Sequence, residues 1–145
     1  MPRPISDAEV FDEISSAITY AAALLAMYPG ATTVPEAPPF EGYQRPADVY
    51  RRLAECMDAV IRVAPKAGVQ VVSLSERRNI PDDTEPGHAY DLARFLVADL
   101  AAIADSKSAR RARVSLPAPK HVFSTEVYAP AGILLRQLEE LERRL

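Results

Sequence analysis

The chain is poor in the residues that staple, hinge or catalyse. Of its 145 residues one is cysteine, none is tryptophan, five are glycine and two are histidine. A single thiol, Cys56, cannot close an internal disulfide. It falls in an apolar slot of a helical pattern, where a thiol behaves as a small hydrophobe. The glycines stand singly, so no phosphate-cradling loop is present. No His-Glu-x-x-His, Cys-x-x-Cys or Gly-x-Ser-x-Gly occurs either. No basic excess exists, the net charge being −3, which disfavours nucleic acid as a partner. The uncharged run Ser15 to Tyr28 falls short of the roughly 20 residues that span a bilayer. Asp7, Glu9, Asp12 and Glu13 precede that run, which is wrong for a secretory signal. A non-catalytic protein of the cytoplasm is therefore expected, without cofactor or membrane. Arginine far outnumbers lysine and alanine abounds, in keeping with a GC-rich bacterial genome.

What is abundant is apolar residues, at 48%, and proline, at 13 residues. The length and apolar share suit one domain over residues 1–145 with a core of its own. The prolines fall between periodic stretches and punctuate them. A short phrase recurs: Pro46-Ala47-Asp48-Val49-Tyr50, Pro86-Gly87-His88-Ala89-Tyr90 and Pro119-Lys120-His121-Val122-Phe123, with a looser copy in Asp7-Ala8-Glu9-Val10-Phe11. Proline suits the first helical position, where an N–H would be unpaired anyway. An acidic group two residues on faces the positive helix end.

Helical spacing follows each phrase. Val49, Leu53, Cys56, Val60 and Val63 step by four, three, four and three residues. Phe11, Ile14, Ile18, Ala21, Leu25 and Tyr28 make the first stripe; Ala89, Leu92, Leu96, Leu100 and Ile103 the third. Phe123, Val127, Ala131, Leu134, Leu138, Leu141 and Leu145 make the fourth. The expected fold is all-α, a four-helix bundle of repeated helix units joined by long proline-rich loops. Pro130 lies within the fourth segment and removes a hydrogen bond to the Glu126 carbonyl, so that helix is expected to kink or restart there, with Gly132 softening the same place. Pro29-Gly30 and Pro65 are expected to stop the first and second helices. An alternating up-and-down order is the simplest, though the loops do not force it. Val69–Leu74 and Val114–Leu116 allow a short strand pairing, but tucking along the bundle is the preferred reading.

Few residues invite chemistry. Glu9, Asp48, His88 and His121 share the third slot of the phrase and would make a divalent-metal site if they converged. Helix capping is the preferred reading, since alternating helices would put only two of them at each end. The rings of Phe11, Tyr50, Tyr90 and Phe123, with Tyr20, Tyr28 and Tyr128, could line a ligand cavity, but more simply plug the core. A small-molecule or metal-binding bundle is thus the alternative function. Lys107–Arg113 is the one basic run, read as a solvated loop with Glu139, Glu140 and Glu142 as counter-charge.

The first helix makes the leading case. No residue from Ser16 to Tyr28 is charged, and a helix apolar all round is either central or covered by another chain. Ile18, Ala21, Ala22, Leu24, Leu25 and Tyr28 are the interface candidates, for a homodimer or for another protein partner. Burial under the proline-rich loop is the rival. The expected function is association, with itself or with another protein.

Overall fold

The computed structural model describes residues 5–70, 84, 86–109, 114, 116 and 119–145. Among them the architecture is all-helical: α1 (Asp7–Leu25), α2 (Pro46–Lys66), α3 (Pro86–Ser106) and α4 (Ser124–Arg144). Each stripe read from the sequence turns inward. Val49, Leu53, Cys56, Val60 and Val63 are all buried, as are Ala89, Leu92, Leu96, Leu100 and Ile103. One apolar core draws on all four helices. Residues 71–74 and the Val114–Leu116 pairing proposed for them lie largely outside the described residues.

The start signals act as capping chemistry requires. Glu9 Oε2 accepts the Ser6 N–H at 3.0 Å, and Asp48 Oδ2 accepts the Arg45 N–H at 2.9 Å. Pro46 and Pro86 stand at the first helical positions. The fourth phrase departs from this pattern. Pro119 precedes the helix, α4 begins at Ser124, and Phe123 is its extended N-cap with 62% of its surface exposed. Phe123 therefore leaves the core stripe to which spacing assigned it. The helix runs unbroken through Pro130, so it does not restart there. Likewise α2 continues one residue past Pro65, and Gly68, at φ +75°, turns the chain away.

The helices do not alternate. Ser124 Oγ, at the start of α4, lies 3.4 Å from Asp7 Oδ1 at the start of α1. The Gln44 N–H just before α2 donates to Thr125 Oγ1 at 2.8 Å. At the far end Arg62 Nε meets Glu142 Oε1 at 2.9 Å, and Lys66 Nζ donates to the Glu142 carbonyl at 3.0 Å. Gly87, in the first turn of α3, abuts Ile5, just before α1. All four helices thus point the same way. Helix α1 packs on α3 and α4, and α2 packs on the same two, which sets α1 diagonal to α2 and α3 diagonal to α4.

This arrangement explains the long connections. A helix of 21 residues such as α4 is about 31 Å long, and each connection must travel that distance back. Even the shortest, 107–123 with 17 residues, can reach about 55 Å when extended.

The first connection shows how the return is made. Residues 31–44 form a strap that runs antiparallel to α4 across its outer face. Gln137 Nε2 donates to the Thr33 carbonyl at 2.7 Å, and Arg136 Nη1 to the Glu36 carbonyl at 2.9 Å. Phe40 stands edge-on to Tyr128 with ring centroids 5.0 Å apart. Between them Pro38 lies so close to Gly132 that a Cβ there would sit 2.7 Å from Pro38 Cδ and 2.8 Å from Arg52 Nη1. Gly132 therefore serves a close approach as a bare stretch of helix surface.

In a helix interior, alanine normally outperforms glycine by about 1 kcal/mol. Here Gly132→Ala is expected to destabilise the chain by about 1–3 kcal/mol, because the rigid Pro38 ring cannot yield without moving the strap. Urea unfolding at unchanged m-value measures this, and a stabilised Gly132→Ala protein would contradict the strap contact.

Candidate functional site

Parallel helices bring all four start signals to one end of the bundle, against the expectation that they divide between two. Glu9, Asp48, His88 and His121 nevertheless do not converge. Glu9 and Asp48 are engaged by the backbone caps, and Asp48 also pairs with Arg51 at 3.2 Å. His88 and His121 are exposed, the latter with its ring 6.4 Å from that of Phe123. Among the described residues no group of three or more His, Cys, Asp or Glu side chains could hold a metal ion. The geometry gives a capping role to Glu9 and Asp48, whereas His121 lies ahead of the Phe123 cap and outside the first turn of α4.

Two other carboxylates sit at this end, and spacing did not single them out. Asp7 is partly buried, and that burial raises its pKa above the usual carboxylate value. The Ser124 hydroxyl opposes the shift and the Glu126 carboxylate adds to it. One Glu126 oxygen, Oε2, is buried with no hydrogen-bond partner. Both groups occupy first turns, where the positive helix end favours a negative charge.

The aromatic slots pack rather than gather. Phe11 lies in the core, and Tyr20, Tyr28, Tyr50, Tyr90 and Tyr128 pack partly buried against it. Tyr128 is held between α2 and the strap, with the Arg52 guanidinium 4.4 Å from its ring centre and also bonded to its hydroxyl. Cys56 is fully buried with Sγ 3.6 Å from the Ala131 carbonyl oxygen, and burial pushes its thiol pKa far up. This is an unreactive thiol. Of the basic run, residues 110–113 lie outside the described residues. Glu140 pairs with Arg143 and Arg144, and Glu142 with Arg62, so both glutamates are engaged on α4 and α2.

The interface expected on α1 is closed within the single chain. Ile18, Ala21 and Leu25 are wholly buried, Ala22 and Leu24 nearly so, and Tyr28 is half-buried. The reason is topological. Helix α1 has two full neighbours, and Gln137 ties the α1–α4 seam to the strap by donating to both the Ile18 and the Thr33 carbonyls. The apolar face read as open to a partner is thus used by the chain itself. No helix among the described residues is long and apolar enough to cross a membrane.

Among the described residues the exposed large apolar side chains lie elsewhere: Met27, Tyr43, Phe95 and Phe123. Met27 is in the turn after α1, Tyr43 in the strap and Phe123 at a helix cap. Phe95 differs from them, for it projects from the middle of α3 with 60% of its surface exposed. It lines a depression of about 430 Å³ with Asp91, Arg94 and Ala98. The helical period already carried this signal. Phe95 falls off the Leu92–Leu96 stripe, on the side of Asp91 and Ala98, and an aromatic among polar neighbours there marks an open face. Comparison with protein-family models, curated proteins and solved structures finds no match.

The raised pKa of Asp7 has a definite sign. The folded state holds that proton more tightly than the unfolded chain, so stability from this group is complete below the ordinary value of 3.8 and is lost as pH rises through the native one. Asp7→Asn is therefore expected to melt higher at pH 7, by about 1–2 °C for a group partly screened by water. The difference should vanish in acid below the ordinary carboxylate value. Calorimetry across pH checks this; a lower melting point for Asp7→Asn at neutral pH would reverse the assignment.

Proposed function

We propose that the chain is a non-catalytic helical module that acts by associating with protein through the outer face of α3. One observation carries this reading, the exposure of Phe95 on a regular helix. Burying a phenylalanine side chain stabilises by about 1.5–3 kcal/mol, a gain the isolated chain forgoes at this position. A helix is already ordered, so docking on it costs little of the conformational entropy that a loop would lose. Asp91 and Arg94 beside Phe95 and Ala98 supply a polar rim to an apolar centre, which is the anatomy of protein interfaces. The association expected from α1 is therefore transferred to α3, whose outward side retains the apolar surface that α1 lacks.

A photoreactive benzoylphenylalanine in place of Phe95 tests this in cells of the native host, with the same group at exposed Asp12 on α1 as control. A discrete adduct at position 95 alone is expected, its partner identified by mass spectrometry as this chain or another protein. No adduct, or equal labelling from both positions, would contradict the reading.

A further inference from the structure

The outer stripe of α3 is Asp91, Phe95, Ala98 and Ala102, four residues that step by four, three and four, and all are exposed. One flank of this stripe carries Arg94 and Asp105, also exposed. They are 11 residues apart, three turns at about 3.6 residues per turn, and so lie nearly in line along the helix. The pair Phe95 and Ala102 is centred between residues 98 and 99, and the pair Arg94 and Asp105 between 99 and 100. The two midpoints differ by about 1.5 Å of helix rise. On this flank positive faces negative about nearly the same centre as large faces small, while Asp99 lies on the opposite flank.

Such a surface complements itself. A two-fold axis that sets α3 antiparallel to a second α3 brings the same flank of each helix together. Each Arg94 then meets the other copy's Asp105, each Phe95 lies over the other copy's Ala102, and the two Ala98 residues permit close approach at the centre. A parallel two-fold would instead carry this flank of the two helices to opposite sides of the seam, so that no Arg94 would meet an Asp105 of the other copy. Resting on the reading of α3 as an association surface, we infer that its occupant is a second copy of this chain, bound antiparallel about Ala98. One helix pair covers less than the ~1,600 Å² usual for stable complexes, so the dimer forms reversibly with concentration.

Sedimentation velocity on the full chain, over roughly micromolar to millimolar concentration, tests the pairing. A monomer–dimer equilibrium is expected, weakened about tenfold or more by Phe95→Ser. Arg94→Asp and Asp105→Arg are each expected to weaken it, and the double exchange to restore it, because the opposite charges then meet again. Circular dichroism confirms that these exposed substitutions keep the fold. A chain that stays monomeric throughout, a dimer indifferent to Phe95→Ser, or a double exchange without rescue would overturn the pairing. If the chain is monomeric while the Phe95 crosslink captures a different, identified protein, self-pairing fails but the association reading stands. If that crosslink also yields nothing, both fail.

Discussion

The structure depends on one constraint: helices that all point the same way oblige every connection to travel the length of the bundle. Residues 31–44 meet it by lying down on α4, with Gln137, Gly132, Tyr128 and Thr125 as successive resting points. From that single path follow the bare helix surface at Gly132, the carbonyl partners of Gln137 and Arg136, and the burial of the α1–α4 seam. The prolines of this connection suit it, since a chain already extended loses less entropy when it is laid along a helix.

Parallel helices also pool their dipoles. Positive ends collect where Asp7, Glu9, Asp48 and Glu126 stand, and negative ends where Lys66, Arg143 and Arg144 stand. The side-chain charges oppose the pooled dipoles at each end. The compensation is uneven, however. Glu9 and Asp48 gain backbone partners, whereas Asp7 and Glu126 are drawn together under the bundle's starting end and are held partly out of water.

Much of this was legible in the chain beforehand. Stripes such as Val49–Val63 and Ala89–Ile103 show their buried faces because helical periodicity is local, and Glu9 and Asp48 reveal their caps because capping is local too. Helix direction was not legible. It is fixed by contacts between residues far apart in sequence, such as Ser124 with Asp7, and no local pattern encodes them. The misplaced interface on α1 follows from that gap: whether Ile18 and Leu25 meet solvent depends on which elements lie beside them. The close approach of Pro38 to Gly132 is hidden for the same reason, since the local sequence shows only a glycine near Pro130. Phe95 was within reach, since its place off the stripe needs only the helical period.

Parallel orientation is the central claim, and α3 is the helix on which it is most directly tested. Spin labels at exposed Ala8 of α1 and at either exposed end of α3, His88 or Ser106, give two distances by double electron–electron resonance. His88 and Ser106 are separated by about 27 Å along the helix. The account predicts that Ala8 lies much nearer His88 than Ser106; the reverse order would show α3 running against α1 and contradict the arrangement.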